Sequence, residues 1–195
     1  MKYSFFALIS RMRNIYRWSL MRNSATENVQ EHSHMVAVIA HALAVIRRDI
    51  FGQSADPERA AAAALFHDAS EILTGDMPTP IKYFDPDIMA AYKRIESAAS
   101  QKLLSALPAE MRREYESLLS PGENEELPLV KAADKLAAYI KCLEELKTGN
   151  HEFRFAAEQS KKKIIALNMP EAEYFMEHFI PAFDLTLDEL NFTFE

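Results

Sequence analysis

The stretch LFHDASEILTGD, residues 65–76, places His67 and Asp68 side by side after an apolar run, then Glu71 and, past a glycine, Asp76. So many titratable groups beside a buried segment need partners, and a metal ion together with an anionic substrate would supply them. His32 and Asp134 could complete a four-residue ligand set from separate segments. Imidazole with carboxylate suits a borderline divalent ion such as Co, Mn, Ni, Zn or Fe, and suits Ca or Cu(I) less. Glu71, one turn beyond the pair, is placed to move a proton. Each residue also has a plain structural reading: a satisfied core histidine, a surface aspartate between Lys131 and Lys135, a carboxylate near a helix end.

Positioning these groups is work for helices. Val36, Ile39, Ala40, Leu43 and Ile46 recur at three and four residues, and no sustained two-residue alternation occurs, so the fold class is all-α, a multi-helix bundle. Helices are expected over roughly 2–15, 29–50, 57–73, 86–106, 108–119, 129–146, 151–167, 171–179 and 186–191. Asp56-Pro57 is a helix-start signature, and Gly75 ends that helix. The sequence DMPTP reads as a turn, because its prolines cannot continue a helix. His67, Asp68 and Glu71 would then ride one continuous helix, with His32 and Asp134 arriving from two others.

The bulk properties agree with a single domain over 1–195: 195 residues, 49% hydrophobic and 26% charged. The one cysteine, Cys142, cannot close an intrachain disulfide, which favours a reducing, cytoplasmic setting. Net charge is −7, yet Lys2, Arg11, Arg13, Arg17 and Arg22 all precede the first acid, Glu27. An acidic body disfavours a nucleic-acid polymer, whereas a small cationic segment suits a small anion. No apolar run approaches a membrane span.

The order His32, His67-Asp68, Asp134 resembles the HD-domain metal-dependent phosphohydrolase superfamily. RW at 17–18, ENVQEHS at 27–33, FHDASEILTGDMPTPIK at 66–82 and KAADKLAAYIKCLEE at 131–145 are similar to its bacterial 5′-deoxynucleotidase family, across nearly the whole chain. The resemblance implies hydrolysis of deoxynucleoside 5′-monophosphates with one divalent transition metal per chain, Co or Mn among the borderline ions. It implies His32, His67, Asp68 and Asp134 as metal ligands and Glu71 as the catalytic acid. It also implies Arg17 as the phosphate-orienting residue, Trp18 against the sugar, and Asp76, Met77, Pro78 and Thr79 as a substrate-contacting turn. Asp76 could accept the 3′-hydroxyl or merely cap the turn.

A flat apolar face at the sugar would leave a ribose 2′-hydroxyl without a partner, at a cost of roughly 1–3 kcal/mol. A homodimer is expected, chiefly from the resemblance. The competing readings are an HD-type enzyme for a cyclic dinucleotide or nucleoside polyphosphate, a di-iron oxygenase, and a nucleotide-binding helical module without turnover. The spare histidines, His34, His41, His151 and His178, read as structural or exposed.

Overall fold

The computed structural model of the chain describes residues 2–82, 84–120 and 126–190. Among the described residues there is no strand, and the helices are α1 (Phe5–Ile9), α2 (Val29–Val45), α3 (Pro57–Phe66), α4 (Glu71–Thr74), α5 (Thr79–Lys82), α6 (Pro86–Ser105), α7 (Ala109–Leu119), α8 (Leu127–Lys147), α9 (Arg154–Ile165) and α10 (Pro170–His178). The all-α reading holds.

Local chemistry explains the ends that matter for the site. Asn28 caps α2 by accepting from the N–H groups of Gln30 and Glu31, while Glu31 accepts from Asn28 N–H, a reciprocal capping box. That cap fixes the first turn of α2, where His32 lies. Asp56 accepts from Arg59 N–H at 2.9 Å and Pro57 fills the first turn of α3.

Four expectations are corrected. The helix expected over 2–15 changes at Ser10 to a 3-10 turn, Ser10–Asn14; Ser10 Oγ donates to Ala7 O at 2.8 Å, a local bond that competes with the α ladder. The helix expected over 57–73 stops at Phe66. Ala69 N–H then bonds Phe66 O and Glu71 N–H bonds Asp68 O, each at 3.0 Å and three residues back, before α4 resumes. The last two residues of DMPTP open the one-turn helix α5, started by Pro78 O accepting from Ile81 and Lys82, with Pro80 where no donor is needed. Over 186–190 only one turn forms, Leu190 N–H to Thr186 O, in place of the expected helix, whose residue 191 lies outside the described residues.

Two apolar cores flank the break after Phe66. The larger joins α2, α3, α8, α9 and α10 through Val36, Ile39, Leu43, Leu136, Ile140 and Ile164, with Ala60, Ala63 and Ala64 letting α3 lie close to α2. The smaller gathers Phe5, Leu103, Leu104, Leu107 and Leu119 around Ala69. Ala64 belongs to one core and Ala69 to the other, so the turn 67–70 is held from both sides at their seam.

Candidate active site

Three helices deliver the expected ligand residues to that seam. His32, fully buried, comes from the first turn of α2, His67 and Asp68 from the turn after α3, and Asp134 from α8. Donor atoms of His32, His67 and Asp68 lie within 4.8 Å of one another. Asp68 Oδ2 is 3.1 Å from His67 Nε2 and 3.8 Å from His32 Nε2, and Asp134 Oδ1 is 3.1 Å from His32 Nε2. His67 Nδ1 donates to Ala64 O at 2.7 Å, since a carbonyl only accepts. That bond turns Nε2 toward the cluster, where among the described residues it is buried without a hydrogen bond of acceptable angle.

A second unit adjoins the first. The segment entering α2 folds back on itself: Arg17 N–H bonds Glu27 O at 3.0 Å and Val29 N–H bonds Ile15 O at 2.9 Å. This short antiparallel pairing sets Arg17 and Trp18 against Glu27. Glu27 Oε2 accepts from Arg17 Nε at 3.2 Å and from Trp18 Nε1 at 3.0 Å. Arg17 Nη1 reaches on to Asp68 Oδ2 at 3.3 Å, joining the cationic segment to the ligand cluster. Trp18 takes a left-handed backbone, φ 59°, and packs on Phe153 with ring centroids 5.3 Å apart.

Glu71 heads α4 and is buried, and its Oε2 has no hydrogen-bond partner among the described residues. Burial, with Asp68 and Asp76 nearby, pushes its carboxyl up to about 9. Asp76 follows Gly75 and is raised as well, first by burial and then by Asp68, against the pull of Arg17. Gly75 has φ 73° and ψ 165°, and its carbonyl accepts from Tyr92 Oη at 3.3 Å, which pins the turn. Met77 and Pro78 are half-buried next to it; the side chain of Thr79 lies outside the described residues.

The charges in the ligand cluster are set by one another. Burial would lower His67, but the Asp68 carboxylate, with Asp134 behind it, holds the imidazolium up to about 9. Burial would raise Asp68 and Asp134, but His67 and His32 respectively hold them down, Asp134 to about 2. The two imidazoles of His32 and His67 with the Asp68 carboxylate form a donor set that fits a divalent cation, and Asp134 adjoins it through His32.

The family model of YfbR-like 5′-deoxynucleotidases matches residues 4–183. The chain belongs to this family. It is 51% identical to a 5′-deoxynucleotidase of Photobacterium profundum over 97% of this chain and 99% of that protein. It is 49% identical to one of Photorhabdus laumondii over 96% of both. Among solved structures, an HD-domain phosphohydrolase of Listeria innocua superposes with a TM-score of 0.81 at 24% identity, covering 96% of this chain and 92% of that one, which shows a shared fold.

Within this YfbR-like chain the structure gives a place to residues that lie inside the family-like stretches but carried no role there. Glu27 is one; its signal was its place as the first acid after five cations. Glu145 is another. Buried on α8, it accepts from the N–H groups of Ser24 at 2.8 Å and Ala25 at 3.2 Å, from Asn150 Nδ2 at 2.7 Å, and from Lys141. Lys141 Nζ also donates to Ala25 O and lies 5.8 Å from the Phe153 ring on which Trp18 rests. This clamp fixes the loop between Trp18 and Glu27 to α8. His34, His41, His151 and His178 are exposed.

Proposed function

We propose that the chain is a metal-dependent 5′-deoxynucleotidase, a phosphoric monoester hydrolase that converts deoxynucleoside 5′-monophosphates to deoxynucleosides and phosphate. The observation that carries this reading is the meeting at Asp68, whose Oδ2 faces His67 at 3.1 Å, His32 at 3.8 Å and Arg17 at 3.3 Å. Donors for a cation there adjoin a guanidinium fit for a phosphate.

In this reading His32, His67, Asp68 and Asp134 hold one divalent transition ion, Co, Mn or another borderline metal. Such an ion supplies Lewis acidity to a phosphoryl oxygen and a lowered pKa to water. Arg17 uses Nε on Glu27 and Nη1 on Asp68, and the donors left over orient the phosphoryl group. Water attacks phosphorus, the bond to the 5′-oxygen breaks, and that oxygen needs a proton. Glu71, buried and held protonated near neutrality, is the acid that delivers it. Trp18 packs against the sugar, Asp76 accepts the 3′-hydroxyl, and Met77, Pro78 and Thr79 line the same turn.

We further propose that residues 1–195 work as one domain and as a homodimer in the cytoplasm. Exposed Phe155, Ile165, Phe179 and Leu187 offer apolar surface for pairing. Among the described residues no helix is long and apolar enough to cross a membrane.

The test strips the protein with chelator, restores Co, Mn, Mg or Zn singly, and follows phosphate release from paired deoxy- and ribonucleoside 5′-monophosphates. Release that needs metal, favours the deoxy member and is lost in Glu71→Ala is the expected result. Equal rates on both sugars would remove the role of Trp18. No release with any metal would redirect the reading to a polyphosphate substrate or a binding module.

A further inference from the structure

His32, proposed above as a metal ligand, has two ring nitrogens with different surroundings. Nε2 faces Asp134 at 3.1 Å and Asp68 at 3.8 Å. Nδ1 is buried and, among the described residues, lacks a hydrogen-bond partner; the acceptor facing it is Glu27 Oε1, at 3.8 Å. An imidazole that ligates through Nε2 must carry its proton on Nδ1, and a buried N–H requires an acceptor. At 3.8 Å the pair is just beyond hydrogen-bond range, so a small approach of either side chain closes it.

The other oxygen of the same carboxylate is already engaged. Glu27 Oε2 takes both the Arg17 Nε–H and the Trp18 indole N–H. Arg17 continues to Asp68, a second member of the ligand set. One side chain thus faces the outer nitrogen of a proposed ligand on one side and bonds the proposed phosphate and sugar residues on the other.

We propose that Glu27 is a positioning residue that couples metal loading to sugar selection: it orients His32 through Nδ1 and holds Arg17 and Trp18 where the substrate meets them. The inference rests on the roles proposed above for those three residues. Drawing Oε1 toward His32 as a cation engages Nε2 shifts the anchor of Trp18, so the two events are linked through a single carboxylate. No other acid among the described residues bonds both Arg17 and Trp18.

Glu27→Gln tests this, because an amide keeps the size but cannot accept at both of its atoms. Two readings need no nucleotide. The first is the Zn affinity from chelator competition, expected to weaken about 10- to 100-fold. The second is the emission of Trp18, the only tryptophan of the chain, expected to move on Zn saturation in the wild type and to lose that response in the variant. The third reading is the deoxy-to-ribo ratio of kcat/KM at saturating metal, expected to fall. A folded Glu27→Gln with a lower melting temperature but unchanged Zn affinity and sugar ratio would show a merely structural carboxylate and overturn the proposal.

If that variant does not fold, the wild-type titration decides: Trp18 emission that tracks one equivalent of Zn supports the coupling, and emission that ignores Zn overturns it. A wild type that binds Zn with the expected response yet hydrolyses no deoxynucleotide would sink the nucleotidase reading while leaving this coupling in place.

Discussion

His67 Nδ1 donates to Ala64 O at 2.7 Å, a bond from the residue that ends α3 to the last buried turn of that helix. It fixes the ring so that Nε2, the nitrogen proposed to meet a cation, points at Asp68 Oδ2 3.1 Å away. Without metal the neighbouring carboxylates keep that nitrogen protonated, His67 titrating at about 9 against an ordinary 6.5. Metal binding at pH 7 is therefore expected to release a proton from this ring, and affinity to rise with pH up to about 9. Calorimetry in buffers of different ionisation enthalpy measures the release. A buffer-independent enthalpy would refute it.

Glu71 gives a stability test in the metal-free protein. Its folded-state value of about 9 lies above the ordinary 4.5, so the folded state binds the extra proton between those values. Its contribution is fully present below pH 4.5 and is lost as pH rises through about 9. His67 acts in the same direction between 6.5 and about 9. Glu71→Gln, which cannot ionise, should flatten the fall of melting temperature across this window. The same variant should lose about 10²- to 10⁴-fold in turnover, the usual worth of a positioned acid.

Much of the candidate site was legible in the chain because the residues gathered there sit in short, chemically distinctive stretches: His32 after the cap Asn28, His67-Asp68 after an alanine run, Asp134 within a clear helical period. The break of α3 at Phe66 was not legible. Periodicity continues through Ile72, and what tightens the chain is tertiary: Ala64 and Ala69 belong to different cores, and the His67 ring bonds a backbone carbonyl. Glu27 and Glu145 escaped for a related reason. Each is an acid with several partners brought to it by the fold-back of residues 15–29 and by α8, and neither partnership leaves a periodic trace.

Gly75 holds the turn that presents Asp76. At φ 73° and ψ 165° it occupies a region essentially closed to side chains, although an added Cβ would meet nothing within 4 Å. Gly75→Ala therefore costs about 1–3 kcal/mol through backbone strain alone. Chemical denaturation measures it. A loss below a few tenths would mean that the turn relaxes freely, in which case Asp76 is not rigidly placed and KM should rise instead.

In the proposed reading Trp18 sets the preference for deoxyribose. If its face leaves a ribose 2′-hydroxyl unpaired, deoxy substrates are preferred by roughly 1–3 kcal/mol, or about 5- to 150-fold in kcat/KM. Trp18→Ala opens space for water at that position, and the ratio should approach one mainly through gain on the ribo substrate. A ratio that stays put would assign the preference to another group.

The clamp of Glu145 and Lys141 on the loop between Trp18 and Glu27 separates stability from chemistry. Glu145 is almost wholly buried and accepts from Lys141, Asn150 and two backbone N–H groups, so removing it leaves Lys141 as an uncompensated buried charge. Glu145→Ala should destabilise by about 3–5 kcal/mol, whereas replacing Lys141 and Glu145 together by methionine should cost far less. Burial works against the Glu145 carboxylate, but Lys141 and the N–H donors hold it down to about 2. With a depressed value, its stabilisation is present above about 4.5 and disappears as pH falls toward 2, so wild-type acid unfolding should lose steepness in the double variant. Because the clamp fixes Ser24 and Ala25 rather than any expected ligand, the double variant should keep its Zn affinity while KM for the nucleotide rises as the loop carrying Arg17 and Trp18 loosens. Retained stability in Glu145→Ala would mean that Asn150 and the loop backbone repair the gap, and the loop would then owe its position to the pairing of residues 15–17 with 27–29.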